Sequence, residues 1–145
     1  MLTHRNIIEA SYAMIYEWHL GENDVVIAAQ PIFHIAMGGL VFASLYAGAQ
    51  VVIQRRFDAG QLLDLVQSYR ATVTGLLPQA ARMFLFNPDF ARHDVSSLRL
   101  FITAYEPDLI RRAGEILRCE IAEYYGSTET TGTVTFHNHS KTQFR

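Results

Sequence analysis

The chain contains little cysteine and little lysine, and both scarcities limit its chemistry. Cys119 is the single cysteine among 145 residues, which excludes a disulfide framework and a cluster of thiolate metal ligands. We interpret this residue as a small buried hydrophobe. Twelve residues are basic and Lys141 is the single lysine, so a mechanism that needs a lysine amine would have to use a position near the end of the sequence.

Several functional signatures are also missing. The sequence has neither a G-x-S-x-G nucleophile elbow nor a G-x-x-x-x-G-K-[ST] phosphate loop. A formal charge of −2 disfavours a general nucleic-acid binder. Polar residues interrupt the N-terminal segment, and the apolar run at 35–49 is shorter than the roughly 20 residues that span a bilayer. We therefore expect a cytoplasmic protein with no nucleic-acid partner and no transmembrane segment.

What the chain does have is the composition and patterning of a globular α/β domain. Hydrophobic residues make up 50% of it and charged residues 18%. Continuous apolar runs predict strands at residues 25–29, 49–53, 71–77, 98–102 and 120–124. Helical spacing and capping residues predict helices at 3–19, 34–47, 78–86 and 107–118, with another that begins at 58. This alternation predicts a mostly parallel sheet with helices on both faces.

Ligands of such sheets bind beyond the carboxyl ends of the strands. Three segments follow predicted strands at this edge, namely residues 30–34, 103–107 and 125–131. We expect them to converge on one cleft.

The third of these segments belongs to the most informative part of the sequence, the run Y-Y-G-S-T-E-T-T-G at residues 124–132. Small residues allow close approach of a phosphate, hydroxyl groups can donate to it, and the Glu129 carboxylate can hold a magnesium ion. The aromatic ring of Tyr125 offers a face for a purine. The same composition also suits an ordinary turn, and the spacing alone does not separate the two interpretations.

The histidines are less informative. His137 and His139 form an H-x-H pair, but no carboxylate or cysteine lies near them in sequence, so we do not interpret the pair as a metal site. His34 follows a predicted strand and could be a hydrogen-bonded structural residue or part of a site. Residues 136–145 show no periodicity, and we predict an untethered polar tail there.

Four segments together resemble the adenylate-forming superfamily, which includes the acyl-CoA synthetases. They are L-T-H-R-N at residues 2–6, P-I-F-H at 31–34, D-V-S-S-L-R at 94–99 and Y-G-S-T-E at 125–129. Their order and spacing carry the resemblance. It implies that residues 1–135 are part of an AMP-binding N-terminal domain and that residues 136–145 are an unmatched tail.

The resemblance also implies roles for individual residues. Tyr125 would stack on adenine, Thr128 would hydrogen-bond the α-phosphate, and Glu129 would bind magnesium, so that Thr128 and Glu129 are the catalytic candidates. Gly126 and Ser127 would complete this side of the nucleotide site. After the strand that begins at Leu98, the family usually has a Gly-Gly-Ala-Pro-like run that lines the purine and acyl pockets. In this chain the run is Ala104, Tyr105, Glu106 and Pro107, which would line the nucleotide site, and we expect the two large side chains of Tyr105 and Glu106 to crowd the ligand.

The acyl pocket would involve His34, Gly38 and Gly39, where missing side chains leave room for a carboxylic acid. The implied reaction joins a carboxylate to ATP to give an acyl-adenylate, with magnesium, and then transfers the acyl group to coenzyme A. The apolar character of residues 32–46 favours the acyl-CoA branch of the superfamily.

Three family elements have no counterpart among the 145 residues: the phosphate loop expected before Leu2, a ribose-binding aspartate, and a C-terminal domain with a catalytic lysine. We therefore expect this chain to be inactive by itself. Two alternatives stay open. The chain could be a truncated product with residual nucleotide or acyl binding, or an interaction module that self-associates through exposed core surface.

Overall fold

The computed structural model describes residues 1–139 as a six-stranded sheet covered by helices on both faces. The strands are β1 (Val25–Ala28), β2 (Gln50–Ile53), β3 (Val73–Gly75), β4 (Leu100–Thr103), β5 (Glu120–Ser127) and β6 (Gly132–Asn138). The helices are α1 (His4–Trp18), α2 (Ile35–Tyr46), α3 (Ala59–Tyr69), α4 (Pro78–Leu85) and α5 (Pro107–Leu117), with a 3-10 turn at Phe90–Arg92.

The helices begin where the sequence carries a start signal. Thr3 caps α1 in a capping box with Asn6, and Asp58 caps α3 by accepting a hydrogen bond from the Gln61 amide at 2.7 Å. Pro78 and Pro107 each occupy the first position of a helix, where no amide hydrogen is needed. In the part of the chain that the structure describes, no helix is long and apolar enough to cross a membrane.

The strand order in the sheet is β2-β1-β3-β4-β5-β6, and β1 to β5 run parallel. On one face α1 and α2 bury an apolar cluster that contains Trp18 and Leu40. On the other face α3, α4 and α5 bury a larger cluster that contains Leu63, Phe84 and Phe101. The predicted α/β architecture, a mostly parallel sheet with both faces covered, is therefore confirmed.

The sixth strand was not predicted. β6 pairs antiparallel with β5, and Phe136 packs edge-to-face on Trp18 with ring centroids 5.3 Å apart. The prediction that the chain is untethered from residue 136 is thus wrong for 136–138, because their main chain completes a strand ladder and an aromatic ring enters the core. Residues 140–145, including Lys141, lie outside the described residues.

An ion pair between the buried Asp24 and the half-buried Arg99 connects the residue before β1 to the residue before β4. The Asp24 carboxylate accepts hydrogen bonds from Arg99 Nε at 2.8 Å and Nη2 at 2.7 Å, and from the Thr72 hydroxyl at 2.7 Å. Arg99 also donates to the backbone carbonyls of Trp18 and His19 at the end of α1. This network connects three segments far apart in sequence. It explains what the arginine of the D-V-S-S-L-R run does for the fold.

Candidate functional site

A cavity of about 460 Å³ lies beyond the carboxyl ends of the central strands. We call it the motif cavity. All three segments that were expected to converge at this edge contribute to it, as the topology of a parallel sheet requires. Its lining comprises His34, Ile35, Ala36, Leu77, Ala104, Tyr124, Tyr125, Gly126, Ser127, Thr128, Glu129 and Gly132.

The Y-G-S-T-E motif lies partly in a strand and partly in a turn. β5 continues to Ser127 because β6 pairs with it, three residues beyond the end that the apolar pattern predicted. The pairing register shifts between Tyr125 and Gly126, which marks a bulge. A Cβ at Gly126 would collide with the backbone carbonyl of Gly132, so the close approach of the two strands requires glycine.

Thr130 holds the turn between the two strands. Its hydroxyl oxygen accepts a hydrogen bond from the Ser127 amide at 3.0 Å and lies 3.0 Å from the Ser127 carbonyl oxygen. Thr131 and Gly132 then adopt left-handed φ values of 63° and 99°, which reverse the chain direction. The motif is therefore a well-formed turn, and its residues also line the motif cavity. The two interpretations of the sequence, an ordinary turn and a ligand site, are thus compatible.

Residues 125–130 of the motif are all exposed, and among them Tyr125 and Glu129 offer a ring and a charge to a ligand. The side chain of Tyr125 is exposed, with a relative accessibility of 73%. The pKa of the Glu129 carboxyl is lowered by hydrogen bonds from its own backbone amide and from the Ser127 side chain. Glu129 is thus an exposed anion at neutral pH, the state in which a carboxylate can coordinate a cation.

His34 has both a structural role and a place in the cavity wall. Its Nδ1 accepts a hydrogen bond from the Ala36 amide at 3.2 Å and caps α2. The ring lines the motif cavity and also a neighbouring cavity of about 140 Å³, whose wall includes Phe33 and Met37. The two interpretations of His34 are therefore compatible with each other.

The two glycines assigned to an acyl pocket are instead surrounded by protein atoms. A Cβ at Gly38 would lie 2.5 Å from the Ile32 carbonyl oxygen, and one at Gly39 would lie 3.0 Å from Cε of Met14. Both residues are buried. The space expected beside them is filled, because Gly38 admits the Ile32 backbone and Gly39 admits a side chain of α1.

The run 104–107 only partly faces the motif cavity. Ala104 lines it, whereas the exposed Tyr105 lines a separate cavity beside α5 together with Pro107. Glu106 forms an ion pair with Arg82 on α4. The expected crowding by the Tyr105 and Glu106 side chains is therefore not seen, because both turn away toward α4 and α5.

Five residues of the cavity wall were not among the predicted site residues, namely Ile35, Ala36, Leu77, Tyr124 and Gly132. Leu77 is the last residue of the third predicted strand and precedes Pro78, so the rule that ligands bind at the carboxyl ends of strands would have found it. Tyr124 is largely buried, and burial raises the pKa of its hydroxyl. Its place in the wall depends on how β5 packs against α1, which no local pattern encodes.

Comparison with known proteins agrees with this geometry. A family model described as AMP-binding enzyme matches residues 1–144. The chain belongs to this family. It is 30% identical over 140 residues to 4-coumarate–CoA ligase 3 of Arabidopsis thaliana, covering 89% of the chain and 25% of the plant protein. It is 33% identical over 144 residues to the fatty acid–[acyl-carrier-protein] ligase ScoC of Streptomyces coeruleorubidus, covering 92% of the chain and 27% of ScoC.

The fold also matches that of solved members. The N-terminal domain of FACL13 from Mycobacterium tuberculosis superposes with a TM-score of 0.86 at 25% identity, over 93% of this chain and 35% of that one. This member of the AMP-binding family thus has the architecture of the N-terminal domain of adenylate-forming enzymes. It spans about a quarter of the length of the plant ligase and of ScoC.

Proposed function

We propose that the motif cavity is the adenylate-binding part of an ATP-dependent acid–thiol ligase. The observation that carries the proposal is the convergence of Tyr125, Glu129 and His34 on one cavity at the carboxyl edge of a parallel sheet. In such folds, this edge is where ligands bind. Membership of the AMP-binding family supports the nucleotide as the ligand.

In this proposal each motif side chain has a definite task. The exposed ring of Tyr125 stacks on the adenine base, and the hydroxyl of Thr128 donates to the α-phosphate. The anionic Glu129 holds magnesium, which, when bound, neutralises charge on the phosphates as pyrophosphate leaves. Gly126 and Ser127 bring the backbone close to the nucleotide, with Ala104 on the opposite wall.

The acyl group would extend from the motif cavity past His34. The neighbouring cavity of about 140 Å³ shares His34, Ala36 and Leu77 with the motif cavity, and its other walls include the apolar residues Phe33 and Met37. An apolar carboxylic acid suits such walls. The names of the relatives, a coumarate ligase and a fatty-acid ligase, suggest an aromatic or aliphatic acid as substrate. We propose coenzyme A as the acceptor, as in the name of the coumarate ligase, whereas ScoC is named for an acyl-carrier protein.

We further propose that residues 1–145 alone do not catalyse adenylation. The sequence carries no phosphate loop to bind the β- and γ-phosphates, and its single lysine is Lys141. Loss of one donor of this kind typically costs about 100- to 1,000-fold in rate. The chain would then bind an acyl-adenylate without forming one.

Calorimetric titration tests the binding proposal directly. The probes are two non-hydrolysable acyl-adenylate analogues, one with a coumaroyl and one with a dodecanoyl group, each with magnesium. We expect at least one to bind, and Tyr125→Ala and Glu129→Gln each to weaken its affinity about tenfold, the size of a single lost stacking or charge-assisted contact.

Matched variants on α1 control for general effects. Tyr16→Ala and Glu9→Gln change an exposed tyrosine and an exposed glutamate away from the cavity and should leave the affinity unchanged. A folded chain that binds neither analogue would refute the binding proposal. Robust ATP–pyrophosphate exchange by the chain would refute the proposed inactivity and leave the binding site intact.

A second candidate function is self-association. Large apolar side chains on the outer surfaces of α1 and α2 are exposed, among them Tyr12, Phe42 and Leu45. Exposed apolar surface of this kind suits an interface. Light scattering should then detect dimers that Phe42→Asp dissociates and that Met83→Asp, an exposed site on α4, does not. A monomer at all concentrations would exclude this function.

A further inference from the structure

A glutamate and two histidines meet on the β5–β6 pair, outside the motif cavity. Glu123 lies directly opposite His137 in the antiparallel register, and His139 lies two residues further along the same chain. Side chains two residues apart point to the same face of a strand. The amide of His139 donates to the Ile121 carbonyl at 2.9 Å, which continues the ladder past the end of β6.

The three side chains lie close enough to share one ion. One ligand atom from each residue can be chosen so that all three atoms lie within 4.8 Å of one another. The Glu123 Oε2 and His139 Nε2 atoms are 3.5 Å apart. Two ligands of a tetrahedral zinc ion with bonds of about 2.0–2.1 Å are separated by about 3.4 Å. One edge of the coordination polyhedron therefore already has the right length, and the other two ligand-atom separations need to shorten by at most about 1.4 Å to complete the triangle.

Two polar atoms of this cluster are shielded from solvent. Glu123 Oε2 and His139 Nε2 are inaccessible to solvent and form no hydrogen bond within the described residues. Both side chains are only 17% exposed. Buried polar atoms normally have partners, and a shared cation would satisfy both of these atoms at once.

We infer that Glu123, His137 and His139 form a binding site for a first-row divalent cation, with zinc as the best match. Two imidazoles and one carboxylate are a common protein ligand set for zinc, and they leave a fourth position for water. His139 also lines the cavity of about 590 Å³ beside α5, so one wall of that cavity is formed by a ligand of the ion. An ion held by these three residues would connect β5 to the segment that pairs with it, at the end of the pair that lies away from the motif turn.

Zinc titration of the untagged 145-residue chain tests the inference. We expect one zinc ion per chain in calorimetry. His139→Ala, His137→Ala and Glu123→Gln should each weaken the affinity more than about 100-fold, because even outer-shell substitutions cost about 10- to 100-fold. His4→Ala, an exposed histidine at the start of α1, is the matched control and should leave the affinity unchanged. Circular dichroism serves as the control that each variant is folded.

Cobalt provides a second readout that does not depend on the variants. Co²⁺ bound by two imidazoles and a carboxylate in a tetrahedral site gives intense visible absorption bands, which added zinc should abolish. The inference is overturned if the folded chain binds no zinc, or if the His137 and His139 variants bind it as tightly as the parent. Equal loss in His4→Ala would also overturn it, since the ion would then sit elsewhere.

Discussion

Replacing Asp24 with asparagine should destabilise the domain far more than the same kind of change at an exposed carboxylate. The Asp24 side chain is only 8% exposed and accepts hydrogen bonds from Arg99, Thr72 and the Gly21 amide. An asparagine keeps the shape but loses the charge, and its amide hydrogens face groups that also donate. Arg99 is then left without its counterion.

The magnitude follows from the contacts. Each of the two hydrogen bonds between Asp24 and Arg99 involves charged groups and contributes about 1.5–3 kcal/mol. The Arg99 side chain is 35% exposed and regains water when its partner is lost, so the lower end of this range applies. We expect a loss of about 3 kcal/mol in the free energy of unfolding, or about 10 °C in Tm for a domain of this size.

The effect should also depend on pH. Burial raises the pKa of Asp24, but hydrogen bonds from Arg99, Thr72 and Gly21 outweigh it, so the net shift is downward. A lowered folded-state pKa gives stability that is present above the unfolded pKa of about 3.9 and lost as the pH falls through the folded value. The difference between parent and Asp24→Asn should therefore be full at pH 6 and shrink below about pH 4.

Urea unfolding monitored by circular dichroism measures both quantities. The control is Glu9→Gln, whose partner Arg5 is 3.7 Å away on the exposed side of α1 and contributes about 0.5 kcal/mol or less. A loss below about 1 kcal/mol for Asp24→Asn would refute the role assigned to this pair. So would a difference that persists unchanged into acid.

Two further predictions concern the end of the chain and its single thiol. Phe136→Ala should lower the free energy of unfolding by about 2 kcal/mol, because it removes a half-buried ring that packs on Trp18. Val134→Ala, at an exposed position on the same strand, should cost less than half as much, and equal losses would contradict the packing. Burial raises the pKa of Cys119 to about 11, so its alkylation at pH 8 should be more than about tenfold slower than that of free cysteine, and an equal rate would be inconsistent with a buried thiol.

The architecture was predictable because its signals are local. Apolar runs separated by capped helices predict alternating parallel strands, and Thr3, Asp58, Pro78 and Pro107 begin or cap helices where capping chemistry indicates. The convergence of three loops then follows from topology alone. The order and spacing of the four motifs were sufficient to predict the family, which the match over residues 1–144 confirms.

The errors arose where a long-range contact overrides a local pattern. The run T-V-T-F at residues 133–136 alternates as a strand does, but so short a run does not predict one by itself, and β6 forms because β5 offers it an open edge. The missing side chains of Gly38 and Gly39 led us to expect room for a carboxylic acid. Their neighbours, Ile32 and Met14, fill that space only because α2 packs against α1 and the preceding loop.

The sequence by itself determined the α/β fold, the family and the edge of the sheet at which the motif residues lie, since each depends on patterns within one segment or on the order of segments. Only the tertiary structure decided which side chains share a cavity and that Glu123 faces His137. The antiparallel register brings these two residues together across the intervening turn, because pairing of β5 with β6 sets their distance and no spacing along the chain does.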